Sequence, residues 1–562
     1  MDGVFDDWGA AAPLAADPSG DGSSFDFGRI WAADDARFLY LRIEVGPVSS
    51  FDENNALVLY LDTDANAATG LAIGGLGAEL EWKLGVRNGV YRRGASTATV
   101  YHDDIRFRAF PTVTATEFEL CFGRDTLPNG TQPLFFGPTV RFFLRDTAAG
   151  GDQIPNAPQV LSYTMDQGAA PTTTALGFAR EEATDLRVAT HNVLGDGLWG
   201  GAEQPRFRRL YQAAAPDIFA LQEIYDHTPA QTQALIQTWL PGTWYSADVN
   251  DCQTISRYPI EASWAIDNNL ASLLDTTVPL GRKLLLVNAH LPCCANEAQR
   301  QQEIDRILRF LRDAMHEPGG VLDVPAGTVI AVTGDLNLVG EGKQLTSLIT
   351  GDVVDESTYG ADFAPDWDGT AMTDLISRQT EKRTSYTWRS DASSFWPGRL
   401  DFLIYADSVL ETGNHFLVFT EEMSAAALTA NGLQLNDSDA SDHLLQVRDL
   451  RPRGAVEAPT PDAGSLEFRV LPNPLVSSAR LMLSAPVRGQ VELELFDVRG
   501  RRVLVETREL LEATSEIALE LGSTAERQPG VYWLRVTSSA GAVGAAAKRT
   551  AGTVAVTLLP QR

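Results

Sequence analysis

Apolar and polar positions alternate with a period of two through residues 37–45, 56–61 and 79–84, so that Leu39, Leu41 and Ile43, or Leu57, Leu59 and Leu61, fall on one side of an extended segment. Gly, Asp and Asn turns separate these runs, and no stretch of helical period interrupts them, so residues 1–168 read as an all-β sandwich. Residues 169–184, opening Ala169-Ala170-Pro171-Thr172, form a linker by composition. From 185 to 450 the pattern is mixed. Short β-branched runs ending at Val287 and Val332 predict strands buried on both faces, whereas Ile304, Ile307, Leu308, Leu311 and Met315 predict a helix over 296–316, with Asn296 placed to cap it. A Pro- and Ala-rich hinge follows at 451–465. Alternation returns at 490–497, turns at Arg499-Gly500-Arg501 and is matched by 530–536, so residues 466–562 read as a small immunoglobulin-like sandwich. The expected architecture is a multidomain α+β chain, with an α/β centre flanked by two all-β domains.

A chain of 562 residues exceeds what one core holds, which fits three domains. No apolar segment approaches the length that crosses a bilayer, and a monomer without a membrane span is expected. The net charge of −29, from 74 acidic against 45 basic residues, repels polyanions at long range, and no basic groove offsets it. That weighs against a housekeeping enzyme of duplex DNA. The opening Met1-Asp2-Gly3-Val4-Phe5-Asp6-Asp7-Trp8 has neither the basic head nor the apolar stretch of a leader, which by itself points to the cytoplasm. Four cysteines are too few for a disulfide scaffold. Two readings stand for Cys252, Cys293 and Cys294: a bridge from Cys252 to one of the vicinal pair, in an oxidising compartment, or free thiols.

The chemistry concentrates in short polar signatures that close apolar runs: Thr190-His191-Asn192, Leu221-Gln222-Glu223, Asn288-Ala289-His290, Gly334-Asp335-Leu336-Asn337, Arg399-Leu400-Asp401 and Ser441-Asp442-His443. If the strands lie side by side, their ends bring two imidazoles, several carboxylates and two carboxamides into one crevice. Such a set suits a hard divalent cation and a phosphate ester. Asp335 and Asn337 alternate and are expected to leave one strand end from the same face.

In order and wording these signatures, with Ile255-Ser256-Arg257-Tyr258-Pro259-Ile260, resemble the endonuclease/exonuclease/phosphatase superfamily across residues 184–450. The resemblance implies a four-layer, DNase I-like α/β sandwich over 185–450 and a Mg2+- or Mn2+-dependent phosphoesterase. It implies Glu223 as metal ligand with Asn192 beside it and Asp442 as a metal or outer ligand. Asp335 would align or deprotonate the attacking water and Asn337 would contact the phosphate. His443 and Asp401 would form a dyad, and His290 would protonate the leaving oxygen. Either His443 or Asp335 fills the general-base role. Gly334-Asp335-Leu336-Asn337-Leu338 lacks the arginine that follows this motif in inositol phosphatases. His191, His227, His102, His316 and His415 are given no catalytic role.

Other residues carry weaker readings. Arg257 and Arg399 either neutralise phosphate or brace loops. Trp199, Trp367 and Trp396, in polar loops, either stack on substrate or pack inside. The Asp366-Trp367-Asp368-Gly369 run offers further acidic ligands for a cation, or is a solvated loop. Asp62-Thr63-Asp64-Ala65-Asn66 either holds Ca2+ or forms a polar hairpin loop. The opening motif, with Asp26-Phe27 and Leu39-Tyr40-Leu41, is similar to family-9-like carbohydrate-binding modules, which implies a glycan or cell-surface contact. Pro472-Asn473-Pro474, Phe496-Asp497-Val498-Arg499-Gly500 and Gly530-Val531-Tyr532 are similar to type IX secretion sorting domains and FlgD-like Ig domains, although the ending Thr557-Leu558-Leu559-Pro560-Gln561-Arg562 departs from the pattern. This implies a secreted or surface protein whose leader has been removed. The expected activity is hydrolysis of phosphodiesters, in nucleic acid, lipid or a small molecule, by activated water. The competing class is a surface or glycan-binding protein with a degenerate enzyme domain.

Overall fold

The computed structural model describes residues 1–9, 11–166, 173–316, 324–453, 468–471, 478–496, 502–520, 530–538 and 550–558. Residues 1–454 and 455–562 form two separate units. The start of the first expected linker, 169–172, most of the second, 454–465, Pro472-Asn473-Pro474, the turn at Arg499-Gly500-Arg501 and the final Leu559-Pro560-Gln561-Arg562 lie outside the described residues.

The period-two runs of the first 166 residues become two facing sheets. One orders Ala15–Ala16, Asp26–Asp34, Phe38–Ser49, Ala115–Gly123 and Arg108–Phe110; the other centres on Thr139–Asp146, Leu57–Asp62, Leu80–Lys83 and Asn88–Arg93. Leu39, Leu41 and Ile43 from the first meet Leu57, Leu59 and Leu61 from the second in one core, as the alternation requires. The opening motif is used structurally. The N–H groups of Asp2 and Gly3 donate to Glu119 Oε1 at 2.6 and 3.0 Å, and the Trp8 indole donates to Oε2 at 3.4 Å. Asp62, Asp64 and Glu79 gather ligand oxygens within 4.8 Å of one another. However, Arg93 lies 2.5 Å from Asp64 and 3.4 Å from Glu79, Arg141 lies 3.6 Å from Asp62, and backbone N–H groups of Thr63, Asn66 and Gly77 bond the remaining oxygens. Guanidinium charge thus stands where the calcium reading put a cation, and the hairpin-loop reading describes this site.

Residues 186–452 build two further sheets. The first runs Tyr245–Val249, Cys252–Ser256, Ile218–Gln222, Leu186–Asn192, Leu445–Pro452, Leu410–Val418 and Arg378–Gln379. The second runs Ile260–Ile266, Asn269–Leu274, Leu284–His290, Val329–Asp335, Asp401–Tyr405 and Thr373–Asp374. Leu186, Val188 and Ile218 of the first sheet pack with Leu285, Val287, Ile330 and Val332 of the second, while Ile304, Ile307, Leu308 and Leu311 from the helix Glu297–His316 join the same cluster. On the outer side, Ala189, Phe219 and Val447 pack with Phe207, Leu210 and Tyr211 of the helix Gln204–Ala214 and Ile236 of Pro229–Trp239. The expected helix over 296–316 is present, with Met315 only partly buried.

Strand direction gathers the chemistry. Leu186–Asn192 and Ile218–Gln222 are parallel, as are Leu284–His290 and Val329–Asp335, so Asn192, Glu223, His290 and Asp335 all come at carboxyl ends. Asp401 opens an antiparallel strand directly opposite Asp335. Among the described residues no helix is long and apolar enough to cross a membrane.

A capping box opens the helix Pro229–Trp239: Gln231 N–H donates to Thr228 Oγ1 at 3.4 Å, and the Thr228 N–H donates to Gln231 Oε1 at 2.8 Å. Thr228→Ala is expected to lower stability by about 1 kcal/mol, read as a shifted urea midpoint at unchanged slope.

In the second unit, Phe468–Leu471, Ser478–Phe496, Arg502–Glu520, Gly530–Ser538 and Thr550–Leu558 form one antiparallel sheet. The alternation at 490–496 shows as buried Val491, Leu493 and Leu495. Among the described residues the strands make one hydrogen-bonded sheet, where the sequence suggested a two-sheet sandwich.

Candidate active site

Asp335 sits at the centre, 1% exposed. Its Oδ2 accepts from Asn192 Nδ2 at 3.1 Å and lies 3.5 Å from His443 Nε2 and 3.7 Å from His290 Nε2. Gly334 delivers it: at φ +132° a Cβ there would collide with the carbonyl of Ala289 on the neighbouring strand, so the motif's glycine is a packing requirement. Burial raises the Asp335 carboxyl above its ordinary range, and Asp401 adds to this against the two imidazoles.

Each flanking histidine has its own carboxylate. His443 Nδ1 donates to Asp401 Oδ2 at 2.9 Å, as the dyad reading required. Burial works to lower the pKa of His443, but Asp401 and Asp335 outweigh it and push it up to about 10. Asp401 Oδ1 is buried without a hydrogen-bond partner, while Thr387 Oγ1 accepts from the N–H groups of Leu400 and Asp401 at 2.9 and 3.0 Å. His290 Nδ1 donates to Asp251 Oδ2 at 2.5 Å. Burial again opposes, but the bond to Asp251 and the charge of Asp335 push His290 up to about 9.

Glu223 follows its strand in a left-handed conformation, φ +63°, the kind of local strain that cleft residues often hold. Asn192 Nδ2 donates to Glu223 Oε1 at 2.9 Å, bridging it to Asp335, and the Gly195 N–H donates to Oε2 at 2.9 Å. Asn192 Oδ1 accepts from the Leu194 N–H at 3.0 Å, so its amide is fixed as a brace between two carboxylates rather than turned to offer oxygen to a metal. Asn337 also departs from the sequence argument. The strand ends at Asp335, and Asn337 stands beyond it at φ +47°, its Nδ2 donating to the Leu291 carbonyl at 2.9 Å. A backbone turn, not period-two alternation, brings it in. Asp442 accepts from the Trp388 indole at 2.9 Å, an orientation set by that partner.

The oxygen set of Glu223 and Asp335 fits a hard divalent cation, because a positive charge there would offset the cost of the buried Asp335 carboxylate. Asp335, Asp401 and His443 also bring ligand atoms within 4.8 Å. There, however, each imidazole nitrogen faces a different carboxylate, which suits an imidazolium between two anions better than a metal ligand.

Four weaker assignments are corrected by packing. Arg257 donates to the Pro241 carbonyl at 3.2 Å, stacks 4.3 Å from the Trp244 ring and neighbours Asp217, at the opposite end of the sheet from Glu223. Arg399 forks onto Asp374 and stacks 4.2 Å from Phe402, so its charge is already matched. The Trp367 indole donates to the Thr328 carbonyl at 2.7 Å, and its ring leans on the inter-sheet core. Trp396, 4% exposed, is inserted into the N-terminal sandwich, edge-on to Phe107 at 5.0 Å. Trp199 stacks on His227 at 3.6 Å. Asp366 is buried and bonds Ser408. Among the histidines set aside, His191 supports the site indirectly: its Nε2 lies 3.1 Å from the carbonyl of His443.

Asp251 is the residue that sequence reasoning missed, because an aspartate after Asn250 and ahead of a strand reads as a turn. Its Oδ2 alone serves both His290 and the Glu223 N–H, the latter at 3.2 Å. Asp251→Asn is expected to lower turnover about 10-fold or more. If His290 acts as a proton donor, the alkaline limb of the pH–rate profile should move to lower pH in this variant, since the protonated imidazole loses its anionic partner. A pH–rate profile checks this, and an unmoved limb would assign it to another group.

Residues 189–443 match the model of the Endonuclease/Exonuclease/phosphatase family. Among solved structures, the endonuclease/exonuclease/phosphatase from Beutenbergia cavernae DSM 12333 aligns at 16% identity over 67% of this chain and 100% of its own, with a TM-score of 0.31. ANGEL2, a 2',3'-cyclic phosphatase in complex with adenosine-2',3'-vanadate, aligns at 16% identity over 47% of this chain and 95% of its own, with a TM-score of 0.33. The AP endonuclease LMAP from Leishmania major aligns at 13% identity over 50% of this chain and 93% of its own, with a TM-score of 0.30. No curated protein matches the chain.

Proposed function

We propose, on the premise that residues 189–443 form an endonuclease/exonuclease/phosphatase-family domain, that the protein hydrolyses phosphodiesters with activated water and a divalent cation. The observation that carries this is Asp335 held between His290 and His443, with Asn192 tying it to Glu223. Glu223 and Asp335 would hold Mg2+ or Mn2+, which when bound polarises a phosphate oxygen and offsets the charge that develops there.

The remaining chemistry belongs to the chain's own residues. With His443 pushed up to about 10, its imidazolium persists at neutral pH between Asp335 and Asp401, and its positive charge would offset charge building on a phosphate bound beside them. Of the two base candidates this favours Asp335, because an imidazole that is already protonated cannot accept the water proton. His290, protonated up to about 9, gives its proton to the leaving oxygen. No covalent enzyme intermediate is needed.

The acidic surface favours small or locally presented diesters over long duplexes. Work outside the cell or at its surface is proposed on the C-terminal motifs, and a glycan contact on the resemblance of the N-terminal sandwich. The test is release of p-nitrophenol from bis(p-nitrophenyl) phosphate, with and without Mg2+ or Mn2+, followed by a panel of DNA, RNA, sphingomyelin, phosphatidylcholine and sugar phosphates. Glu223→Ala is expected to lose activity that extra metal partly restores, whereas Asp401→Asn lowers turnover with metal dependence nearly unchanged. Identical metal titrations for the two variants would refute this division. No turnover with any metal would favour a binding protein.

A further inference from the structure

Cys293 and Cys294 have no part in the chemistry above. Both are exposed, whereas Cys121 and Cys252 are buried and free, so the bridge from Cys252 to the vicinal pair is not the arrangement found. The two exposed sulfurs lie 2.6 Å apart, and Cys294 is left-handed at φ +65°. The main chain around them is pinned. Arg300, fully buried, donates to the carbonyls of Pro292 at 2.7 Å, Cys294 at 2.9 Å and Val339 at 2.9 Å. Asn296 Nδ2 donates to the Cys293 carbonyl at 2.8 Å, and the Leu291 N–H donates to the Asp335 carbonyl at 3.0 Å. A clamped backbone therefore presents two adjacent thiols to solvent, shortly after the strand that ends at His290.

We propose that Cys293 and Cys294 form a reversible dithiol–disulfide couple, oxidised by small uncharged disulfides. One thiolate attacks the disulfide RSSR, forming a mixed disulfide and expelling RS⁻. The second thiolate then attacks the protein-side sulfur and expels the other RS⁻. In balance, two protein thiols lose two electrons and two protons, and one RSSR becomes two RSH. Consecutive Cα atoms lie about 3.8 Å apart, below the ~4.4–6.8 Å that relaxed disulfides span. The closed pair is therefore strained and belongs with readily reduced, labile disulfides rather than structural staples. The net charge of −29 disfavours anionic oxidants. The neighbouring thiol, partial burial and the charge of Asp335 push Cys293 up to about 11, so thiolate is scarce at neutral pH and oxidation is followed to its end point.

The full chain is incubated with excess bis(2-hydroxyethyl) disulfide, denatured, alkylated with iodoacetamide and digested with trypsin. The peptide spanning 284–300 should be lighter than its reduced form by two hydrogens and should refuse label, while Cys121 and Cys252 take it. Dithiothreitol should restore two labelling sites. In Cys293→Ser, Cys294 should instead retain one mercaptoethanol moiety, trapped for want of a neighbour. Full alkylation of the wild-type peptide, a persistent mixed disulfide on it, or a cross-link to Cys252 would overturn the proposal, as would an unreactive Cys294 in the variant.

Discussion

His443→Ala is expected to lower the turnover of bis(p-nitrophenyl) phosphate by roughly 10³-fold, the range lost when a transition-state donor or proton-transfer group is removed. The loss should fall on kcat, because the imidazolium matters most as charge builds on the phosphate. His443→Gln tests the charge itself: glutamine still donates a hydrogen bond but carries no positive charge between Asp335 and Asp401, so it should recover little. The two carboxylates would then face one another across a neutral group, and the Asp335 carboxyl should rise further. Wild-type stability should show the complementary effect. The folded pKa of His443 is raised from 6.5 to about 10, so its contribution is fully present below about 6.5 and lost as pH rises towards 10. Urea midpoints at pH 6 and pH 10 should therefore differ less in His443→Gln than in the wild type. A variant that keeps wild-type kcat would remove His443 from the chemistry.

The residues legible in the sequence were those whose position follows from local pattern. Glu223, His290 and Asp335 close apolar strands, and a parallel sheet aligns such ends whatever the loops do. The N-terminal alternation and the helix stripe from Ile304 to Leu311 were legible for the same reason, since burial periodicity is local. Asp251 was not, because its value lies in reaching His290 on a strand of the facing sheet, a pairing no spacing rule encodes. Arg257 and Arg399 stayed ambiguous in the sequence, because a cation near a motif reads equally as a phosphate ligand or a brace until its carboxylate partner is seen; the brace is what is found. Asn337 reached the site through a left-handed turn, where sequence suggested continued strand.

Trp396→Ala is expected to reduce both stability and turnover, although Trp396 touches no reacting group. Its ring fills the N-terminal sandwich core beside Phe107, which in turn packs on Trp82 at 4.8 Å, so truncation should cost about 3–5 kcal/mol. The loop that carries it returns to the site. Trp388 pairs with both Gly398 and His443, its indole holds Asp442 at 2.9 Å, and the Arg389 N–H donates to the Asp442 carbonyl at 2.9 Å. Further along, His102 Nε2 lies 3.1 Å from the Ser393 carbonyl, and Arg87 stacks 3.8 Å from the Phe395 ring. The sandwich thus anchors one end of a loop whose other end sets the Asp442–His443 turn. Loosening the anchor should lower kcat about 10-fold, within the effect of small misplacements on catalytic geometry, with KM for the small diester little changed. Trp396→Phe, which keeps an aromatic ring in the core, should restore most of kcat. If both variants lose stability while kcat per folded molecule stays at the wild-type value, the sandwich supports the fold without positioning His443.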